Sequence, residues 1–109
     1  MERISRGDIW TVESASNSRP RPAIIISINP VNDLCPDVLI IPITKKPGPL
    51  RIPLVESSAK TGLINSNYAK CESSGPVSKT KLRRRIGRIS RLDLLKVEEG
   101  LRKVLGLQI

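Results

Sequence analysis

The stretch RPRPAIIIS, residues 19–27, sets alternating arginine and proline directly against three consecutive isoleucines. Proline fixes its own φ and drives the preceding residue into an extended conformation, so Arg21, before Pro22, is presented from a stiff approach to a strand. The β-branched run that follows is predicted as that strand, over residues 23–28. It is apolar on both faces, which places it centrally in a sheet or in the wall of a small barrel. On these residues alone Arg21 is either a catalytic cation or a solvated lip.

Outward from this stretch the chain reads as short strands separated by proline and glycine. DIWTV (8–12) is predicted as a first strand after Arg6-Gly7, and residues 14–22 as a polar loop. NPVNDLCPD (29–37) is a turn. VLIIPIT (38–44) is a third strand whose Pro42 interrupts the ladder, as at an edge or a bulge. KKPGP is a break, and LRIPLV (50–55) alternates as a half-exposed edge strand. Residues 68–72 and 84–89 carry weaker strand signals, the former leading into a turn at SSGP. The C-terminus changes period. Ser90 and Asp93 form a capping pair, Ile89 and Leu94 a hydrophobic staple, and Leu94, Val97, Leu101, Val104 and Leu105 recur at helical spacing from residue 91 to 105. Lys96, Glu99, Arg102 and Lys103 take the other side, and Gly106 stops the helix. The expected fold is mainly β, a small curved antiparallel barrel with a C-terminal helix, in a single domain over residues 1–109.

A chain of 109 residues supports one core but lies near the size where oligomerisation often helps, so a homodimer is expected. No apolar run approaches the ~18 residues that span a bilayer, and the opening MERISRGD lacks the apolar region of a signal peptide. A soluble, cytoplasmic protein is the resulting expectation, with Cys35 and Cys71 as reduced core residues. The chain has no histidine, which argues against an imidazole-bound metal and for a mechanism without metal or cofactor. Nineteen Lys and Arg against ten Asp and Glu give a formal charge of +9, a balance suited to a polyanion or an acidic protein partner. Trp10 and Tyr68 are the whole aromatic complement. Multi-ring stacking platforms are therefore excluded, and nucleic-acid recognition would lean on phosphates and arginine planes.

Five segments in order resemble the MazF/PemK/Kid toxins: Arg6-Gly7-Asp8-Ile9-Trp10, then RPAIIIS from Arg21, Pro42-Ile43-Thr44, the Gly62-Leu63 pair, and the terminal helix ending VLGL. None is specific alone, but together they span nearly the whole chain. The resemblance implies an SH3-like, CcdB-type barrel, a homodimer, a metal-independent endoribonuclease acting on single-stranded RNA, and an acidic antitoxin with a disordered tail. Cleavage by the RNA's own 2′-hydroxyl needs charge stabilised on the phosphate oxygens, and arginine is the most economical stabiliser where metal and histidine are lacking. Arg21 matches the family's catalytic arginine and Thr44 its catalytic threonine, although Thr44 read alone is an ordinary strand-end residue. Glu72 is either a base or a carboxylate that holds a loop. Arginine itself is a clamp rather than a base.

Arg19, Ser27, Lys45, Lys46, Ser73, Ser74, Lys79 and Lys81 are the expected RNA contacts, with Asn17 a further candidate. The run Arg83-Arg84-Arg85 is ambiguous, since strand alternation sends its middle member to the opposite face. Two departures from the family pattern stand out: Gly75 replaces a second arginine, and the first loop is shortened to SASNS without its glutamate. A non-enzymatic basic barrel that binds RNA or a partner, and a CcdB-like gyrase poison, are the alternatives.

Overall fold

Ile24 is buried on one face of its strand while Ala23 and Ile25 are buried on the other, and this two-sided burial organises the molecule. The computed structural model describes residues 2–13, 19–55, 58–64 and 66–107. Its strands are β1 (Asp8–Val12), β2 (Arg21–Ile25), β3 (Asp37–Thr44), β4 (Arg51–Leu54), β5 (Asn67–Lys70), β6 (Gly75–Ser78) and β7 (Leu82–Arg88). Helices α1 (Asn29–Leu34) and α2 (Ser58–Thr61) are short; α3 (Arg91–Leu105) is long. Turns of 3-10 helix occupy Cys71–Ser73 and Lys79–Lys81.

All strand pairs are antiparallel, in the order β4-β5-β3-β2-β1-β7, with β6 also paired to β3. The turn Lys79–Lys81 carries β6 directly into β7, so the row β6-β3-β2-β1-β7 curls round on itself. Inside the curl lie Ile4, Trp10, Val12, Ala23, Ile25, Val38 and Leu82. The opposite face carries Ile9, Ile24, Ile41 and Ile43, and α3 covers it through Val97 with Leu94, Leu101 and Val104 alongside. Burying each such isoleucine contributes about 1.5–3 kcal/mol. The mainly β fold with a terminal helix is as expected, and no described helix is long and apolar enough to cross a membrane.

Strand β3 is not an edge. It changes partners along its length: residues 37–40 pair with β6, and Ile43 and Thr44 pair with β5. Between the two, Ile41 and Pro42 face the turn Cys71–Ser73, which links β5 to β6, so the missing N–H of Pro42 falls where no partner strand runs on that side. Strand β4, with Pro53, is the edge the sequence indicates.

Strand β2 begins two residues earlier and ends three residues earlier than predicted. Arg21 and Pro22 pair with Val12 and Thr11 of β1. At the other end Ser27 turns inward, its hydroxyl donating to Asn32 Oδ1 and accepting the Leu39 N–H at 3.0 Å, while Asn32 Nδ2 donates to the Ser27 carbonyl at 3.0 Å. This buried polar knot starts α1, where only a turn was predicted; Pro30 in its first turn is preset for helix.

Strand β7 carries two irregularities, since Ile86 and Arg83 have no opposite number in β1. Bulges therefore replace the strict alternation assumed for the arginine run. Arg83 pairs with Glu13, and Arg85 with Asp8 and Glu2; Arg84 makes no ion pair among the described residues. Where β7 meets α2, two backbones touch. A Cβ on Gly87 would lie 2.3 Å from the Thr61 carbonyl carbon, and one on Gly62, at φ 74°, would lie 2.4 Å from the Ile86 carbonyl oxygen.

Helix α3 follows its sequence signals. The Ser90 hydroxyl accepts the Asp93 N–H at 3.0 Å, and Gly106 closes the helix at φ 67°. Leu105, however, is 59% exposed rather than part of the packed face. Cys71 is buried as expected, whereas Cys35 is exposed, because it follows α1 on the surface instead of entering the sheet.

Candidate active site

Pro22 marks where the molecule opens. The β2–β3 ladder ends at the pair Ala23 and Pro42; beyond it, Arg21 and Pro22 pair only with β1, and Ile43 and Thr44 only with β5. Pro22 has no N–H to offer at the next rung of that ladder, and the strands part. The gap is a cleft of about 240 Å³ walled by Arg21 and Pro22 on one side and by Ile43, Thr44, Lys45, Lys46 and Asn67 on the other.

Arg21 and Thr44 are thereby brought to one cleft. Lys45 and Lys46 join them, and no carboxylate among the described residues lines it. Arg21, Lys45 and Lys46 form no ion pair among the described residues. Three cations sharing a concave site, with no counter-charge among the described residues, create a positive potential suited to an anion. Thr44 is half-buried, and its Oγ1 accepts the Lys46 N–H at 3.2 Å. With an acceptor position occupied in this way, the hydroxyl hydrogen is left to donate toward an oxygen in the cleft.

The other sequence candidates divide. Ser27 is 5% exposed and hydrogen-bonded to Asn32 and Leu39; the expectation that it contacts RNA is corrected, because its hydroxyl is consumed in the interior. Arg19 is exposed but does not line the cleft. Ser73 and Ser74 sit at the Cys71–Ser73 turn, outside the lining, as do Lys79 and Lys81 at the Lys79–Lys81 turn. Lys81 is neutralised by Glu13 at 3.5 Å. The loop 14–18, with Asn17, lies outside the described residues. Gly75 pairs with Ile40, and a Cβ there would meet nothing within 4 Å, so a side chain would fit.

Glu72 is absent from the cleft lining and is engaged by Arg51, whose Nε donates to Oε2 at 2.9 Å. A backbone N–H holds its carboxyl below the usual glutamate range; desolvation opposes that effect, and the Arg51 guanidinium, with the charge of Lys70, adds to the lowering. A carboxylate so stabilised is a poorer proton acceptor. Of its two sequence readings, base and loop-holder, its contacts describe the second. The neighbouring Cys71 thiol is pushed up by burial and then by the Glu72 charge, which makes it inert. Gly100 of α3 packs against it, a Cβ at that position lying 2.9 Å from Sγ.

Sequence reasoning missed Arg51 and Asn67. Asn67 is buried at the start of β5 and donates to the Ile64 carbonyl at 3.0 Å. Arg51 passed as the solvent side of an edge strand. The nearby triplet Pro-Gly-Pro was the available signal for both the turn and the arginine folded over it.

Comparisons with known proteins agree with this fold. Residues 5–105 match the family described as PemK-like, MazF-like toxin of type II toxin-antitoxin system. A probable endoribonuclease MazF of Mycolicibacterium smegmatis is 28% identical over 108 residues, which cover 95% of this chain and 98% of that protein. Among solved structures, an endoribonuclease from a mycobacterial species in complex with its cognate antitoxin superposes with a TM-score of 0.83 at 21% identity, covering 100% of this chain and 99% of that one. A MazE–MazF complex from Deinococcus radiodurans gives a TM-score of 0.82 at 16% identity, covering 99% and 100%. At those identities the structural likeness speaks for the fold.

Proposed function

The chain belongs to the PemK-like, MazF-like toxins of type II toxin–antitoxin systems, and on that premise we propose that it is an endoribonuclease that cuts single-stranded RNA through attack of a 2′-hydroxyl. The observation that supports this reading best is that Arg21 and Thr44 line the same cleft, which no carboxylate among the described residues enters. In the proposed reaction the scissile phosphate enters that cleft. The Arg21 fork binds its non-bridging oxygens and favours the phosphorane, where negative charge is greatest. Thr44 donates its hydroxyl hydrogen to the same phosphate and fixes its orientation. The 2′-hydroxyl gives up its proton to water and its oxygen forms a bond to phosphorus as the bond to the 5′-oxygen breaks; the departing oxygen takes a proton from water, leaving a cyclic phosphate upstream and a 5′-hydroxyl downstream. Lys45 and Lys46 hold the flanking backbone through charge.

The same cations suit an acidic antitoxin segment that folds onto the cleft and competes with RNA. The relatives solved with antitoxins support that part of the proposal by analogy of fold. A homodimer in the cytoplasm is the proposed working form.

The test is incubation with long single-stranded RNA in excess EDTA. Discrete fragments ending in 5′-hydroxyl groups are expected. Gly75, which leaves the site one arginine short of the family pattern, favours a second reading as a non-enzymatic RNA-binding barrel; retardation of the RNA without cutting would select it.

A further inference from the structure

Arg51, at the first position of β4, touches three residues in two segments of chain. Its Nε donates to Glu72 at 2.9 Å, its Nη1 donates to the Lys46 carbonyl at 3.0 Å, and its side chain lies over Gly48, where a Cβ would come within 3.1 Å of Cδ and Nε. Its side chain is 18% exposed. The backbone beneath is a tight turn: the Arg51 N–H donates to the Gly48 carbonyl at 3.2 Å, with Pro49 and Leu50 at the corners. Leu50 has φ 63°, the one non-glycine residue with positive φ among those described. A leucine resists that conformation, which persists where surrounding contacts over-determine it. The Arg51 contacts supply that constraint on the loop that walls the cleft.

Lys46 connects this latch to the chemistry. Its carbonyl is held by Arg51 and its N–H by Thr44 Oγ1 at 3.2 Å. A continuous chain of hydrogen bonds therefore runs from Glu72 through Arg51 and the Lys46 backbone to the hydroxyl in the cleft. We propose that Arg51, anchored by Glu72, is a positioning residue that fixes Lys46 and so aims the Thr44 hydroxyl at the bound phosphate. This rests on the endoribonuclease reading for its effect on rate, but not for the geometry it asserts. The assignment gives Glu72 a purpose that proton transfer does not, and it explains a strained leucine and a close-packed glycine in an otherwise plain loop.

The test is a double-mutant cycle with two readouts. In Arg51→Met the single-turnover cleavage rate is expected to fall about tenfold or more, as for a reacting group displaced by a fraction of an ångström. Affinity for a cleavage-resistant RNA should stay near the wild-type value, because Arg21, Lys45 and Lys46 remain. In a Thr44→Val background the same change should cost no further rate, since two residues acting through one hydroxyl are not additive. Independently of activity, exchange of the Lys46 amide proton should quicken in Arg51→Met to the rate seen in Thr44→Val. Arg51→Lys, which cannot bridge both acceptors, should behave like Arg51→Met and carries the test should the methionine variant fail to fold. Additive losses, affinity falling in step with rate, or Lys46 exchange at the wild-type rate would each overturn the proposal. If the wild type itself does not cut RNA, the function assigned above fails while amide exchange still decides the role of Arg51.

Discussion

Arg21 stands at the first residue of β2 with Pro22 behind it and the buried isoleucines beyond. What the sequence left open, catalytic cation or solvated lip, depends on what lies opposite, and that is a matter of register. Thr44 reaches the same cleft because Ala23 pairs with Pro42, a long-range fact no local pattern contains. The proline that stiffens Arg21 was legible; the parting of β2 from β3 was not. Glu72 shows the reverse case. Its place beside Cys71 made it a candidate base, but its partner, Arg51, is 21 residues away in sequence. Its lowered pKa has a consequence for stability. A carboxyl whose folded pKa is depressed stabilises the fold above its unfolded pKa and loses that contribution as pH falls through the folded one. Wild type should therefore exceed Glu72→Gln in stability at neutral pH, modestly because the pair is partly exposed, and the gap should close below the ordinary glutamate range. Denaturant unfolding at the two pH values checks this; a gap that widens on acidification would be inconsistent with the Arg51 contact.

Elements that carry their own punctuation were the legible ones. Helix α3 has its cap, its apolar stripe and its C-terminal glycine within one continuous segment, and all stand where the sequence indicated except the last residue of the stripe, Leu105. Ser90→Ala should cost about 1 kcal/mol through loss of the Asp93 N–H acceptor, measured as a shift in the unfolding midpoint. The short helices were illegible for the opposite reason. Helix α1 is secured by Asn32 reaching back to Ser27, and α2, four residues long, abuts the backbone of β7 at Gly87. That crossing yields a sharp contrast. Gly87→Ala forces a Cβ into the Thr61 and Lys60 backbone and should destabilise by about 1–3 kcal/mol or more, whereas Gly75→Ala, with open space around its Cβ, should change stability far less. Equal effects in thermal unfolding would mean that α2 and β7 are not in contact.

For the whole molecule, charge separates structure from function. Many of the cations are spent internally: Arg6 holds Glu98 of α3 at 2.6 Å, Arg85 and Arg88 neutralise the buried Asp8, and Arg83 and Lys81 share Glu13. Of the seven cations from Lys79 to Arg91, the densest basic signal in the sequence, Lys81, Arg83, Arg85 and Arg88 are thus engaged in ion pairs, whereas the sparser Arg21, Lys45 and Lys46 are unpaired among the described residues and share one cleft. Composition gave the sign of the partner but not its location, since ion pairing depends on the fold. If those three carry RNA binding, the logarithm of affinity should fall with the logarithm of salt with a slope of about −2, from ~0.7 per phosphate neutralised on a single strand. Replacing Lys45 or Lys46 by Met should reduce the slope by ~0.7 each, while Arg84→Met, outside the cleft, should alter it less. Filter binding across a salt series with a cleavage-resistant RNA measures both.

The most direct measurement is the single-turnover cleavage rate of a defined RNA in excess EDTA, for wild type and Arg21→Ala, with and without a 2′-deoxy substitution at the nucleotide preceding the mapped cut. Wild type should cut the all-ribose strand to a 5′-hydroxyl product and leave the deoxy strand intact, and Arg21→Ala should lose about 10²–10³ in rate at unchanged thermal stability. Cleavage that survives the missing 2′-hydroxyl, or an Arg21→Ala rate equal to wild type, would contradict a cleft in which arginine stabilises the attack of that hydroxyl on phosphorus.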